Sequence, residues 1–212
     1  MNIAVFASHG GSDLQAIIDA CKQERINANV CAVISNNSGS FALKRARDSG
    51  IPAFHLSQKT AKTPDLLEKA ILDVLTKNNA QIIFLAGYLK KLGPTILRAY
   101  ENRVFNIHPS LLPKYGGKGM YGLNIHTAVI AAKETETGIT IHRVSHEYDT
   151  GEIIAQTKVP VQENDTPETL SARVLEHEHV FLVETLAKII RSLSNDKLIP
   201  CPAGPPKGIR PL

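Results

Sequence analysis

The stretch Val104-Phe105-Asn106-Ile107-His108-Pro109-Ser110-Leu111-Leu112-Pro113 decides the fold that we predict for this chain. The apolar side chains of its first half favour β structure. Side chains repeat every two residues along a strand, so Asn106 and His108 share one face. Pro109 lacks the N–H that a sheet ladder needs, and strand pairing should stop there. The stretch therefore predicts a buried strand that ends with an amide and an imidazole side by side.

An amide and an imidazole at the end of a strand have two interpretations. A lone His or Asn in a strand is usually a hydrogen-bonded structural residue. Here the two share a face and an abrupt Pro-Ser-Leu-Leu-Pro stop follows them. In open α/β sheets, ligands bind at the carboxyl ends of strands. The sequence therefore favours a catalytic role for Asn106 and His108, with a structural role as the alternative.

Strands and helices are predicted to alternate before this point. Short apolar runs predict strands at residues 3–7, 30–35, 52–56 and 81–86. Apolar residues at helical spacing predict helices from residue 14 and at 41–48, 64–77 and 92–99. This alternation is typical of βαβ units. We therefore expect an α/β, Rossmann-like, mostly parallel twisted sheet with helices on both faces.

The second half of the chain changes character. Residues 114–122 are rich in glycine and are expected to form a mobile loop. A helix is predicted at 125–132. Strands at 138–144 and 152–161 are close enough in sequence for a hairpin-like pair, which would give the sheet an antiparallel C-terminal edge.

A long helix is predicted next. Thr166 suits its N-cap and Pro167 its first helical position. The region after it contains five prolines and no apolar periodicity. We therefore expect a single domain at 1–193 and an extended C-terminal arm at 194–212.

Composition limits the class of protein. The chain has 212 residues, of which 43% are hydrophobic and 21% charged, as in ordinary soluble globular domains. Its net charge of +4 is too mild to imply nucleic acid, although it suits an anionic small substrate. Cys21, Cys31 and Cys201 fit neither a disulfide framework nor a metal spacing. Neither a signal peptide nor a membrane-length apolar stretch is visible, so we expect a cytoplasmic protein.

The Gly10-Gly11-Ser12-Asp13 turn follows the first predicted strand and opens a helix. Such a turn offers free N–H groups and the positive end of the helix dipole to a phosphate. It lacks the glycine spacing of a dinucleotide fingerprint and the Lys-Ser/Thr of a P-loop, which argues against NAD and ATP. A plain βα turn with a Ser or Asp cap remains the alternative.

Two further segments carry candidate residues. Asp149 lies on a turn after the strand at 138–144, from which it could reach His108, raise the imidazole pKa and move a proton. A bare Asp-x-Gly turn is more often structural. Glu176-His177-Glu178-His179 lies within the long helix, where its spacing excludes a zinc protease and would suit a solvated face. His142 and His146 have no partners at metal spacing and are interpreted as non-ligands.

The chain resembles the folate-dependent formyltransferases through Asn106-Ile107-His108-Pro109-Ser110-Leu111-Leu112-Pro113 and through the segment from Gly138 to Ile154, over about residues 2–192. The resemblance implies that Asn106, His108 and Asp149 are catalytic and act on the formyl group of 10-formyltetrahydrofolate as co-substrate, with no metal.

The resemblance also implies the binding residues. In members of the family that formylate phosphoribosylglycinamide, a Gly-Ser-Asn binds the phosphoribosyl group. Asp13 replaces that Asn here, and because a carboxylate repels phosphate it could instead cap the helix. The implied phosphoribosyl site consists of Gly11, Ser12, Asp13, Leu175 and Glu178. The implied folate site consists of Leu89, Lys90, Lys91, Leu92, Asn106, Ser145, His146, Glu147, Tyr148 and Asp149.

The expected activity is formyl transfer from 10-formyltetrahydrofolate to the amine of phosphoribosylglycinamide, in purine synthesis. The expected partners are small molecules, with no nucleic acid and no membrane, and the chain would act as a monomer or homodimer. One alternative is an enzyme that formylates methionyl-tRNA, which would need a second, basic domain. Another is a formyltetrahydrofolate hydrolase, which would need an N-terminal regulatory domain. A phosphosugar-binding module would leave Asn106, His108 and Asp149 unexplained.

Overall fold

A seven-stranded sheet runs through the computed structural model, which describes residues 1–195. The strands are β1 (Asn2–Phe6), β2 (Asn29–Ser35), β3 (Ala53–His55), β4 (Ile82–Leu85), β5 (Val104–His108), β6 (Glu136–Arg143) and β7 (Ile153–Pro160). The helices are α1 (Ser12–Lys22), α2 (Phe41–Asp48), α3 (Pro64–Lys77), α4 (Pro94–Ala99), α5 (Leu123–Ala131) and α6 (Pro167–Asn195).

The strand order is β3-β2-β1-β4-β5-β6-β7. The first five strands pair in parallel, whereas β6 runs antiparallel to β5 and β7 antiparallel to β6. The predicted Rossmann-like sheet with an antiparallel C-terminal edge is confirmed. The strand order reverses beside β1, and in open α/β sheets this switch point creates the crevice that binds ligands.

Alternate residues of the central strands enter two separate cores. Ile3 and Val5 of β1 pack in the core that contains α1, α5 and α6. Ala4 and Phe6 face the other way and pack with α3 and α4. Helices cover both faces of the sheet, which explains why its central strands are apolar throughout and not alternately polar.

The start of α6 follows the sequence closely. Thr166 caps the helix through its Oγ1, which accepts a hydrogen bond from the Thr169 N–H at 3.3 Å. Arg173 makes two 2.6 Å hydrogen bonds to the Asp165 carboxylate just before the helix, which fixes the entry of the chain. At its other end α6 includes residues 194 and 195, which the sequence assigned to the arm. The rest of the predicted arm lies outside the described residues.

None of the helices within residues 1–195 combines the length and the apolar character that are needed to cross a membrane.

Candidate active site

A cavity of about 570 Å³ opens where β4 and β5 end. Asn106 and His108 both line it, as their shared strand face predicted. β5 ends at His108, directly before Pro109, so both side chains lie at the carboxyl edge of the sheet. The cavity is also lined by Asp13, Gly87, Tyr88, Leu89, Lys90, Ile107, Pro109, Gly117, Lys118, Gly119, Met120, Tyr121, Gly122, Tyr148, Asp149 and Glu178.

The Asn106 amide is oriented by His142, which lies opposite it on the neighbouring strand β6. The His142 Nδ1 is 2.8 Å from the Arg143 carbonyl oxygen, which can only accept, so Nδ1 carries the proton. In the neutral ring Nε2 then accepts a hydrogen bond, and Asn106 Nδ2 donates it at 3.0 Å. One N–H of the Asn106 amide is thereby used, and the second is left for a ligand.

From the sequence, His142 was interpreted only as a non-ligand of metals, and its contact with Asn106 was not predicted. The sequence did predict the strand that carries His142, as part of an antiparallel pair before Asp149. What the sequence did not contain was the register of β6 against β5, which places His142 opposite Asn106 and Thr140 opposite His108.

Asp149 lies between the two histidines. Its Oδ1 is 3.8 Å from His108 Nδ1 and 3.6 Å from His142 Nε2. Its Oδ2 accepts a hydrogen bond from the Gly117 N–H at 2.8 Å. The predicted approach of the Asp149 turn to His108 is therefore present in the structure.

The position of the His108 proton follows from its other contact. His108 Nε2 is 2.8 Å from the Tyr115 carbonyl oxygen, so the neutral ring carries its proton on Nε2. Nδ1, which faces Asp149, is then the atom that gains or loses a proton. Because this nitrogen lies beside a carboxylate, the pair is arranged for proton transfer.

The electrostatics of the pair differ from the expectation in one respect. Burial lowers the pKa of His108 below its ordinary value, and the charge of Asp149 and the Tyr115 carbonyl offset this only in part. Burial also acts to raise the pKa of Asp149, but the charge of His108, the Gly117 N–H and, when its Nε2 is protonated, the His142 ring hold that pKa below its usual range. The expected increase in the pKa of His108 is therefore outweighed by burial, which a sequence does not reveal.

The Gly-rich turn opens α1 as predicted. Gly11 is the N-cap residue, with a φ of +69° in the left-handed region, and Ser12 is the first helical residue. Asp13 lines the cavity, whereas Gly11 and Ser12 lie outside its lining. The Asp13 Oδ1 has no hydrogen-bond partner among the described residues, so this oxygen does not cap the helix. The side chain is instead close to α6, with Oδ1 3.5 Å from His179 Nε2.

Gly11 also allows α1 and α2 to approach closely. A Cβ atom built on Gly11 would lie 2.9 Å from the Ala42 Cα and Cβ atoms. Gly11→Ala should therefore lower the free energy of unfolding by about 1–3 kcal/mol, through strain at positive φ and through the clash. Gly10→Ala is the matched control, since no atom lies within 4 Å of its added Cβ, and it should change stability by less than about 0.5 kcal/mol. Denaturant unfolding measures both, and equal stability of the two variants would contradict this account.

The two α6 residues of the implied substrate site are placed differently. Glu178 is 7% exposed and lines the cavity, whereas Leu175 is 38% exposed and lies outside the cavity lining. The structure therefore brings Glu178, but not Leu175, into the same cavity as Asn106 and His108. Glu178 was expected by resemblance alone, because the sequence pattern suited a solvated helix face.

A second, smaller cavity of about 70 Å³ adjoins the first and shares Asn106 and Asp149 with it. Nine of the ten residues of the implied folate site line this small cavity; the tenth, Leu89, lines the larger one. Lys91 closes its rim, with its Nζ 2.9 Å from Glu147 and 4.9 Å from the Tyr148 ring centre. The small cavity is lined by Leu85, Tyr88, Lys90, Lys91, Leu92, Asn106, His142, Val144, Ser145, His146, Glu147, Tyr148 and Asp149.

Within residues 1–195, no group of three or more His, Cys, Asp or Glu side chains is arranged to hold a metal ion.

The chain belongs to the formyl transferase family, because that family's model matches residues 1–186. A chloroplastic phosphoribosylglycinamide formyltransferase from Vigna unguiculata is 41% identical over 93% of this chain, which spans 62% of that relative's length. The phosphoribosylglycinamide formyltransferase of Escherichia coli (strain K12) is 38% identical over 84% of this chain and 82% of its own.

Solved structures agree with this assignment. The crystal structure of the phosphoribosylglycinamide formyltransferase from Bacillus halodurans superposes with a TM-score of 0.85 at 35% identity, covering 92% of this chain and 98% of its own. The predicted family and fold class are therefore confirmed.

Proposed function

We propose that this protein transfers the formyl group of 10-formyltetrahydrofolate to the amine of phosphoribosylglycinamide, in purine synthesis. In this proposal its partners are small molecules and it acts in the cytoplasm, as a monomer or a homodimer. The names of the relatives support the substrates. One structural observation carries the chemistry, namely that Asn106, His108 and Asp149 converge on one cavity beside the implied folate pocket.

The first step is attack of the substrate amine on the formyl carbon. A C–N bond forms, and negative charge develops on the formyl oxygen. The second N–H of the Asn106 amide and the protonated His108 ring are the two donors that would stabilise this charge. Donors that are already fixed in position lose little by reorganisation, and here His142 fixes the Asn106 amide through a 3.0 Å hydrogen bond.

The second step is a proton transfer from the attacking amine to the leaving N10 nitrogen of the folate. His108 Nδ1 and Asp149 Oδ1 lie 3.8 Å apart, which is longer than a hydrogen bond, so a water molecule or a closer approach of the two groups would carry the proton between them. The negative charge that develops on the formyl oxygen favours the imidazolium and opposes the effect of burial on the His108 pKa. When the C–N10 bond breaks, N10 keeps the electron pair and takes this proton, which gives tetrahydrofolate.

The two substrates would occupy the two cavities. The small cavity is lined by residues of β4, β5 and β6, of the loop at 145–149 and of the loop that contains Lys91 and Leu92, whose main-chain groups would meet the edge of the pterin ring. The large cavity reaches from Asn106 to Asp13 and Glu178, and it would hold the phosphoribosyl substrate. The formyl group would lie where the cavities share Asn106 and Asp149.

An assay with two acceptors and one reaction without an acceptor tests the proposal. The protein is incubated with 10-formyltetrahydrofolate and phosphoribosylglycinamide, with glycinamide alone, or with no amine, and formylated product, formate and tetrahydrofolate are measured. We expect tetrahydrofolate to be released in a one-to-one ratio with formylated phosphoribosylglycinamide. Formate release at the same rate without an amine would identify a hydrolase and overturn the proposed transfer.

The loop at 114–122 should respond to substrate. Tyr115 and Gly117 contact His108 and Asp149, and residues 117–122 line the large cavity. We therefore expect amide hydrogen exchange in this loop to slow when both substrates are bound, because ligand contacts suppress local opening. The buried β1 amides serve as the internal control. Unchanged exchange in the loop of the ternary complex would show that it only connects β5 and α5.

A further inference from the structure

Two buried carboxyl groups face the large cavity from different helices. Asp13 in the first turn of α1 is 9% exposed, and Glu178 of α6 is 7% exposed. Both line the same cavity, and the Asp13 Oδ1 has no hydrogen-bond partner among the described residues. A buried carboxylate without partners is costly, so such a pair favours at least one bound proton.

The groups around Asp13 neutralise its charge only weakly. His179 Nε2 is 3.5 Å from the Asp13 Oδ1 and also has no hydrogen-bond partner in residues 1–195. Burial raises the pKa of Asp13 to about 6, and the nearby His179 opposes this increase. Burial also raises the pKa of Glu178 well above its usual range, and the charge of Asp13 adds to that increase.

Other charged and titratable groups lie on the elements that surround Asp13 and the cavity. On α2, the guanidinium of Arg45 donates to the Gly10 carbonyl at 2.9 Å and to the Gln15 side chain at 3.2 Å. The other titratable side chains that line the cavity come from β5 and from three loops, and they are Tyr88, Lys90, His108, Lys118, Tyr121, Tyr148 and Asp149.

A phosphate at the start of α1 would meet this carboxyl pair. The first-turn N–H groups of α1 and the helix dipole attract a phosphate dianion. An ionised Asp13 beside the same N–H groups repels it, whereas a protonated carboxyl can donate a hydrogen bond to a phosphate oxygen. The favourable complex is therefore the one in which Asp13 itself holds a proton.

We propose that Asp13, which lines the same cavity as Glu178 and lies beside His179, makes binding of the phosphoribosyl substrate proton-linked, so that the substrate binds together with one added proton on the Asp13 carboxyl. The inference rests on the proposed function, because it takes a phosphoribosyl compound as the ligand. In its protonated form, Asp13 recognises the phosphate and so acts as a specificity residue. The sign follows from linkage, since a form that binds with an added proton loses affinity as pH rises.

Isothermal titration of the full chain with phosphoribosylglycinamide between pH 6 and pH 8.5, in buffers of different ionisation enthalpy, tests the proposal. The wild type should take up close to one proton per substrate at high pH, and its Kd should rise by about tenfold per pH unit above the ionisation of Asp13. Asp13→Asn keeps the shape and a donor N–H, so it should bind about 100 times more tightly than the wild type at pH 8, with a nearly flat profile. The phosphate of the substrate titrates identically with both proteins, so their difference isolates Asp13.

A second variant moves the profile in the opposite direction. His179→Gln removes the ring that favours ionised Asp13, so the pH at which affinity declines should increase. Equal proton uptake and equal pH profiles in the wild type and Asp13→Asn, or an unchanged His179→Gln profile, would overturn the inference while leaving the proposed function standing. If neither the wild type nor any variant bound phosphoribosylglycinamide at any pH, both this inference and the proposed function would be overturned.

Discussion

Replacing Asp149 with Asn should reduce the turnover number for formyl transfer by about 100- to 10,000-fold, with little change in substrate KM. The substitution keeps the shape of the side chain but removes the charge beside His108 Nδ1, 3.8 Å away. Burial already lowers the pKa of His108, and Asp149 is the first of the groups that oppose it. Without that carboxylate the imidazolium becomes rarer and the proton path from amine to N10 is broken.

The pH dependence of turnover should also change in Asp149→Asn. In Asp149→Asn, the limb of the turnover profile that reports His108 should move to lower pH, because the imidazolium loses its counter-charge. Asp73→Asn, on the exposed side of α3 and paired with Lys69, is a matched control that should keep wild-type turnover. Wild-type turnover in Asp149→Asn would show that Asp149 is a structural turn residue.

Replacing Asn106 with Ala should cost about 100- to 1,000-fold in the turnover number, which is the effect of one lost oxyanion donor. The amide is the group that His142 holds in place at the wall of both cavities. Because its donor is used mainly in the transition state, KM for either substrate should change much less than the turnover number.

Asn78→Ala is the control for this truncation. Asn78 is the C-cap of α3 and donates to the Val74 carbonyl, just before β4 begins. It therefore lies at the amino end of the strands, opposite the cavity, and its loss should leave turnover unchanged. A rise in KM without a fall in turnover in Asn106→Ala would contradict a role in stabilising the transition state.

The part of this site that the sequence revealed depends on local patterns. The alternation along β5 and the stop at Pro109 were enough to place Asn106 and His108 on one face at the edge of the sheet. The family signature added Asp149 and Glu178. The placement of Asn106 and His108 was readable because periodicity and proline chemistry act within a few residues.

The part that the sequence did not reveal depends on tertiary packing. His142 contacts Asn106 only because β6 pairs with β5 in one register. The Tyr115 carbonyl, which fixes the His108 proton on Nε2, belongs to a loop whose path is not encoded by periodicity. The direction of the His108 pKa follows from burial against opposing charges, and neither quantity is visible in the chain alone.

A double-mutant cycle on His108 and Asp149 tests the central claim most directly. Turnover in the formyl-transfer assay is measured for the wild type, His108→Ala, Asp149→Asn and the double variant, with substrate binding measured in parallel. If the two side chains form one proton-transfer unit, the double variant should be only slightly slower than the slower single variant. Losses that multiply in full would show that His108 and Asp149 act independently, and would contradict the account.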